Sequence, residues 1–132
     1  MYKVMALDVG TKRIGIALSD FLLVIASRYG YIARDKNSVN EIVKIAQENH
    51  VQKIIVGVPY NMDGTAGFQA QDCIDFSKQI EGFEIIYEDE RLTSDTAEEN
   101  LREQKVDFRK EKGLVDAESA RIILEQYLAR KR

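Results

Sequence analysis

Acidic residues stand at three places in this sequence where a strand or a helix is expected to begin or end. Asp8 lies near the end of an apolar, strand-like run, Glu90 closes the acidic triplet 88–90, and Asp116 heads the last apolar-periodic segment. Burying a carboxylate is costly unless a cation or hydrogen bonds compensate. Three converging carboxylates would suit Mg²⁺ or Mn²⁺, which prefer hard oxygen ligands. Two such ions about 3.5–4 Å apart can activate water and stabilise the leaving oxygen in phosphodiester hydrolysis.

Strand alternation places Asp8 on the same face as Val4 and Ala6, at the end of the first strand. Gly10 and Gly15 are expected to keep the backbone around Asp8 open to a phosphate. In open α/β sheets, ligands bind beyond the carboxyl ends of the strands, where the strand order reverses. We predict that the first strand is central, so that Asp8 and the acids following the fifth strand converge.

Asp116 shares one helical stripe with apolar residues at +4, +7 and +11. Those residues are Ala120, Ile123 and Tyr127, whereas Glu118, Arg121 and Glu125 fall mostly outside the stripe. An acid at the head of an apolar face points toward the sheet. The same position also suits an acid that caps the helix or favours its positive end, worth about 0.5–1 kcal/mol. The sequence position leaves both roles open.

The elements that must position these acids follow from changes in hydrophobic periodicity, in the order β-β-β-α-β-α-β-α-α. The predicted strands are Tyr2–Val9, Arg13–Leu18, Val24–Ile32, Lys53–Tyr60 and Glu84–Tyr87. Four helices are predicted. The first is capped by Ser38, with Glu41 three residues on, and the second is Phe68–Ile80, closed by Gly82. The third is capped by Thr93 or Ser94, and the fourth is Val115–Ala129.

The short connections between the first three strands predict an antiparallel meander. Strand–helix–strand units need right-handed crossovers, so strands four and five should extend the sheet in parallel beside strand one. The predicted fold is therefore an α/β architecture with a mixed five-stranded sheet, three antiparallel strands then two parallel, flanked by helices.

Composition narrows the possible functions of the chain. Its 132 residues suit one domain, 1–132, and the net charge of −3 does not indicate a nucleic-acid binder. No apolar stretch approaches the ~20 residues of a membrane span, so no membrane partner is expected. The start lacks a signal peptide and the lone cysteine, Cys73, cannot form an internal disulfide, which favours a cytoplasmic protein. A single histidine, His50, excludes any mechanism that needs a histidine pair.

Four ordered motifs resemble the YqgF family across essentially the whole chain. They are LDVGTKRIG at 7–15, VGVPYNMDGT at 56–65, DERLTS at 89–94 and KGLVDAESARIILEQYL at 112–128. Members of this family are Holliday junction resolvase-like proteins, also described as pre-16S rRNA nucleases, with a ribonuclease H-like fold. The stretch FLLVIASRYGYI departs from the family, since Arg28 and Tyr29 stand where a proline-containing turn is expected. The geometry of strand three is therefore open.

The resemblance implies the roles of the acidic residues. The family carries its three acids at the end of the first strand, in the DER motif and at the head of the final helix. These match Asp8, Glu90 and Asp116, which are the expected catalytic residues and the expected ligands of two Mg²⁺ or Mn²⁺ ions. Asp89 remains an alternative to Glu90, because alternation cannot choose between the faces of a strand buried on both sides.

Contacts to nucleic acid are expected at Thr11, Lys12, Arg13, Asn61 and Arg91. Guanidinium groups bind phosphate bidentately, which favours the two arginines. Each arginine could instead pair with a nearby acid. Thr11 could equally shape its turn, and Asn61 lies where it would meet a base or ribose at the mouth of the site.

The leading hypothesis is a metal-dependent endonuclease that acts on structured RNA and processes the 5′ end of pre-16S rRNA, as a monomer or weak homodimer. The alternative is a Holliday junction resolvase, which must cut two symmetric strands and should be a dimer. Actin-like and sugar-kinase ATPases also begin with DxGT, but they need two such domains to clasp ATP. A catalytically silent binding domain is disfavoured because all three acids are present.

Overall fold

The computed structural model describes residues 1–90, 93–104 and 111–131. Within those ranges the order of the elements confirms the predicted one. The strands are β1 Lys3–Val9, β2 Arg13–Ser19, β3 Ala26–Ala33, β4 Val51–Val58 and β5 Glu84–Asp89. The helices are α1 Ser38–Glu48, α2 Phe68–Ser77, α3 Thr93–Glu103 and α4 Gly113–Lys131.

The five strands form one mixed sheet in the order β3-β2-β1-β4-β5. β1 pairs antiparallel with β2 and parallel with β4, while β4 pairs parallel with β5. The central position predicted for the first strand is therefore confirmed. Because β1 lies where the two halves of the sheet meet, its carboxyl end opens into the crevice between the connections on either side.

Alternate residues of β1 enter two separate cores. Met5, Leu7 and Val9 pack with α1 and α2, and Val4 and Ala6 pack with α4. α3 lies against α4 and buries Ala97 and Leu101. Asp8 therefore faces α4, as strand alternation predicted. None of the helices in the described ranges is long and apolar enough to cross a membrane.

The predicted capping box of α1 is wrong. The helix begins at Ser38, its N-cap is Asn37, and no side chain hydrogen-bonds the cap. The Ser38 hydroxyl instead accepts a hydrogen bond from the Asp35 amide at 2.7 Å and donates one to the Ala33 carbonyl at 3.0 Å. Ser38 is fully buried, and its hydroxyl hydrogen-bonds with backbone groups of the turn that follows β3 rather than with those of the helix end.

Several element boundaries also differ from those predicted. β3 begins at Ala26 rather than Val24, β4 ends at Val58 rather than Tyr60, and α2 ends at Ser77 rather than Ile80. Such shifts occur because apolar residues beyond an element can still pack on the core, as Ile80 does. The predicted caps at Thr93 or Ser94 fall on side chains outside the described residues.

β3 accommodates the unexpected Arg28-Tyr29 pair through a register shift. Ile16 pairs with Gly30 and Ala17 with Arg28, which leaves Tyr29 as an extra residue. Gly30 has φ of 153°, a conformation that side chains rarely adopt. A β-bulge thus replaces the expected proline-containing turn.

Candidate active site

Asp8 and Glu90 converge at the carboxyl edge of the sheet. Glu90 follows β5, and its backbone amide donates to the Val58 carbonyl at the end of β4. The Asp8 and Glu90 side chains are partly buried and hydrogen-bonded to each other. The predicted meeting of the first-strand acid with an acid beyond the fifth strand is therefore present.

Burial controls the protonation of this pair. It raises the pKa of Asp8 to about 6, the hydrogen bond with Glu90 opposes the shift, and the charge of Asp116 adds to it. Burial and the neighbouring Asp8 charge also raise the pKa of Glu90. Two crowded carboxylates hold a proton between them more readily than either would alone. A bound cation would offset the cost of ionising this pair.

Glycines on both strands beside Asp8 make room for the other two acids. Gly15 pairs with Asp8 across β1 and β2, and a Cβ there would lie 1.9 Å from the Asp116 carbonyl oxygen. A Cβ on Gly57 of β4 would lie 2.7 Å from Glu90 Oε2. The expectation that Gly15 opens the backbone to a phosphate is therefore wrong, because the first turns of α4 fill that space.

Asp116 is held by Arg13. The Arg13 Nε lies 3.0 Å from Asp116 Oδ2, with about a third and a fifth of the two side chains exposed. Burial raises the pKa of Asp116, and the guanidinium partly opposes that shift. Arg13 was predicted to contact either a phosphate or a nearby acid, and in the structure it pairs with an acid, Asp116. Asp116 points toward the sheet, as its helical stripe indicated.

The donor set suits a hard divalent cation. Asp8, Glu90 and Asp116 offer oxygen ligands, and burial raises the pKa of each, so a bound cation would offset the cost of ionising them. Among the described residues, no three histidine, cysteine or acidic side chains already form a metal-ligand cluster. Asp116 is turned toward Arg13, so a cation that uses all three acids requires this carboxylate to reorient.

The acids at 88–90 point in different directions. Glu88 is buried beside Arg130 of α4, whereas Asp89 is exposed. Glu90 is the member of this triplet that hydrogen-bonds with Asp8. The geometry therefore favours Glu90 over Asp89 as the partner of Asp8. Arg91, a predicted nucleic-acid contact, lies outside the described residues.

The β1–β2 turn presents Thr11 and Lys12 to solvent beside Asp8. The Gly10 amide donates to the Arg13 carbonyl at 2.9 Å, which closes the turn through its backbone. Thr11 and Lys12 are both exposed. Their side chains are thus available at the edge where the acids meet.

Asn61 uses its side chain to hold its own loop. Its Nδ2 donates to Thr65 Oγ1 at 3.0 Å. Its side-chain amide also packs beside Gly67, where an added Cβ would lie 3.1 Å from Asn61 Oδ1. This loop begins just beyond Val58, at the same edge as Glu90. Asn61 therefore lies at the rim predicted for it, with its side-chain amide bound within the loop.

A salt bridge that was not anticipated supports the β1–β2 turn from the other face of the sheet. Arg34 pairs with Asp72 of α2 at 2.6 and 2.8 Å and also donates to the Gly10 carbonyl at 3.1 Å. The pairing lowers the pKa of Asp72 and raises that of Arg34. No local pattern signals this contact, since 38 residues separate the partners.

A second network was also missed, at Glu118 of α4. This fully buried carboxylate accepts hydrogen bonds from Arg121 at 2.7 and 2.8 Å and from Asn100 at 3.0 Å, and Arg28 lies 3.7 Å away. These partners lower the pKa of Glu118 against the opposing effect of burial. The i, i+3 spacing of Glu118 and Arg121 is the sequence pattern that could have indicated this ion pair.

Comparison with known families identifies close relatives of this chain. A family model described as "RuvX: Holliday junction resolvase" matches residues 2–130. A Crocosphaera subtropica protein named "Putative pre-16S rRNA nuclease" is 43% identical, with 97% of this chain and 93% of the relative covered. A Clostridioides difficile protein of the same name is 38% identical, with 96% and 93% covered.

Two solved structures share the architecture. The Fowlpox virus resolvase, solved with Holliday junction DNA, matches with a TM-score of 0.60 at 12% identity and 98% coverage of both chains. T. thermophilus RuvC, solved with Holliday junction substrate, matches with a TM-score of 0.53 at 9% identity, covering 99% of this chain and 96% of RuvC. These similarities confirm the predicted ribonuclease H-like fold.

Proposed function

This chain belongs to the RuvX family, and on that premise we propose that it is a metal-dependent nuclease that hydrolyses phosphodiester bonds in structured nucleic acid. The contact between Asp8 and Glu90 carries the proposal, because two partly buried carboxylates that meet at the carboxyl edge of the sheet offer the oxygen ligands that a hard divalent cation prefers. The resemblance to YqgF proteins that the motifs indicated is confirmed by the family match.

Asp8, Glu90 and Asp116 would hold two Mg²⁺ or Mn²⁺ ions. When bound, the ions activate water and neutralise charge on the phosphate. Asp8 and Glu90 would hold the ions as carboxylates, so both would have to be deprotonated. Arg13 positions Asp116 through its Nε, and its remaining N–H groups provide donors for a phosphate oxygen.

Thr11 and Lys12 would guide the sugar-phosphate backbone to these acids. Both are exposed in the turn that follows Asp8, and a lysine ammonium offsets the repulsion between an acidic site and a phosphate. We also assign a phosphate contact to Arg91, from its place directly after Glu90 in the sequence. Asn61 would contact the substrate only if its hydrogen bond to Thr65 opened.

The proposed substrate is pre-16S rRNA, cut during maturation of its 5′ end. The names of the relatives favour this substrate, and such an enzyme would act in the cytoplasm as one domain, monomeric or weakly dimeric. Cleavage of a four-way DNA junction is the second candidate, favoured by the description of the family and by the two resolvase structures of the same fold.

The deciding experiment is parallel cleavage of 16S precursor RNA and a four-way DNA junction with Mg²⁺ or Mn²⁺. Wild type should cut the RNA, and Asp8→Asn should reduce the rate at least a thousandfold. Glu81→Gln removes an exposed acid at the opposite edge of the sheet and should leave the rate unchanged. Equal rates for Asp8→Asn and wild type would refute a nuclease site at Asp8, and symmetric nicking of the junction alone would establish the second candidate.

A further inference from the structure

The segment 61–68 exposes two large apolar side chains at the rim of the proposed site. Phe68 is 89% exposed and Met62 is 81% exposed, more than any other large apolar residue in the described ranges except Met1. An exposed phenylalanine beside a polar site has an unfavourable contact with water unless a partner covers it. The segment is therefore a candidate contact surface.

The polar groups of this segment are used internally. The Asn61 amide donates to the Thr65 carbonyl at 2.9 Å, and the Gly64 amide donates to the Asn61 carbonyl at 2.8 Å. The Thr65 hydroxyl donates to Asp63 at 2.6 Å while accepting from Asn61 Nδ2 at 3.0 Å. These hydrogen bonds restrain the backbone on both sides of Met62, and Phe68 is fixed at the start of α2, which lowers the entropic cost of binding through these side chains.

The segment is anchored next to Glu90. The Val58 carbonyl accepts hydrogen bonds from both the Glu90 amide at 3.2 Å and the Tyr60 amide at 3.0 Å. The chain that leads into the segment therefore begins at the same carbonyl that positions the proposed catalytic acid.

The helix that begins at Phe68, α2, also contacts the turn that follows Asp8. Phe68 and Asp72 are four residues apart in α2 and so share a helix face. Asp72 binds Arg34, which in turn binds the Gly10 carbonyl. Phe68 is thus one helical turn beyond the contact between α2 and the β1–β2 turn, whose exposed residues include Lys12.

An exposed aromatic ring at the edge of a proposed nuclease site suits a nucleotide that is not base-paired. The ring would stack on the face of such a base. A base within a duplex is already stacked and paired, so it offers no free face to Phe68.

We propose that Phe68, supported by Met62, binds an unpaired nucleobase next to the scissile phosphate. The preferred substrates are then strands with an unpaired nucleotide at the cut site rather than continuous duplexes. This inference rests on the proposed function, since it names the substrate class of the same site. The protein provides the stacking surface, and the acids provide the cleavage chemistry.

Binding measured without cleavage tests the inference. Single-stranded RNA carrying 2-aminopurine and a matched duplex are titrated in EDTA, with fluorescence and anisotropy as readouts. Phe68→Ala should bind the single strand between about 5-fold and 150-fold more weakly, because stacking on an aromatic ring contributes about that much. Affinity for the duplex should change less than twofold.

Three further variants separate stacking from other effects. Phe68→Trp should restore binding and quenching, whereas Phe68→Leu, which keeps an apolar side chain without a ring, should not. Leu22→Ala removes a 72% exposed side chain in the β2–β3 connection, at the other end of the sheet, and should behave as wild type. Equal single-strand affinity of Phe68→Ala and wild type would overturn the inference. So would a loss of self-association in ultracentrifugation with single-strand binding unchanged, which would identify an interface between two copies.

Cleavage assays distinguish this inference from the proposed function. If wild type cuts no substrate but Phe68→Ala still loses single-strand binding, the nuclease proposal fails and the nucleobase site stands. If wild type cuts RNA and Phe68→Ala cuts unpaired and fully paired substrates at wild-type rates, the nucleobase site is refuted and the nuclease proposal stands.

Discussion

Arg13 at the start of β2 and Asp116 in the first turn of α4 form an ion pair, with Nε 3.0 Å from Oδ2, although 103 residues separate them in sequence. The pair lies where the Asp116 backbone rests on Gly15, so one contact joins the strand to the helix and orients an acid of the proposed site.

Arg13→Gln should destabilise the protein by about 1 kcal/mol, because a partly buried carboxylate loses a charge-assisted hydrogen bond. It should also lower kcat/KM, since Asp116 loses its orientation. Urea unfolding and cleavage rates measure the two effects. Lys44→Gln removes an exposed pair with Glu48 and should cost less than 0.5 kcal/mol. A wild-type kcat/KM for Arg13→Gln would contradict a role in the site.

Asp8→Asn should stabilise the metal-free protein while abolishing cleavage. The substitution removes a charge that is disfavoured by burial and by the charge of Asp116, and the raised pKa corresponds to about 1–3 kcal/mol at neutral pH. Thermal unfolding in EDTA at pH 7.5 measures the gain. An unchanged or lower Tm would argue against convergence of the three acids.

Metal-free wild type should lose stability as the pH rises. The folded-state pKa of Asp8 is about 6, above its usual 3.8, so its favourable contribution is complete below pH 4 and is lost as the pH rises through 6. The raised pKa of Glu90 extends the loss to higher pH. Denaturant unfolding between pH 5 and 8 checks the slope, which should be shallower in Asp8→Asn. Added Mn²⁺ should restore stability at pH 8, and a flat profile without metal would exclude the crowded pair.

Gly15→Ala should be more destabilising than Gly57→Ala. The new methyl group at position 15 would lie 1.9 Å from a backbone oxygen of α4, so the helix must shift at a cost of about 3 kcal/mol or more. At position 57 it meets the side chains of Glu90 and Ile123, which can move at about 1–3 kcal/mol. Displacing Glu90 should nevertheless reduce cleavage by Gly57→Ala more than its loss of stability explains. Equal stability of both variants would contradict the close packing of α4 on β2.

Glu118→Ala should cost about 3–5 kcal/mol, because it leaves the guanidinium of Arg121 and the amide of Asn100 without their buried partner. Glu125→Ala removes the exposed partner of the same arginine and should cost less than 1 kcal/mol. Urea unfolding compares the two. Similar losses would mean that the buried network does not hold α3 on α4.

Local patterns were enough to predict the faces of the central strand. Side chains alternate along any extended strand, so Val4, Ala6 and Asp8 had to share a face, and the structure places Val4 and Ala6 in the core beside α4. The capping box at Ser38 was also predicted from a local pattern, and that prediction was wrong. The Ser38 hydroxyl instead hydrogen-bonds with the Asp35 amide and the Ala33 carbonyl.

The sequence by itself determined the order of the elements, the central strand and the acids expected at its carboxyl edge, because periodicity and crossover handedness act along the chain. Only the tertiary structure shows that Arg13 pairs with Asp116, that Gly15 packs against α4 instead of facing a phosphate, and that Glu118 is buried. Each of these depends on how closely α4 packs on the sheet and on α3. That distance is set by the side chains missing at glycines and by ion pairs between residues far apart in sequence, which no local pattern encodes.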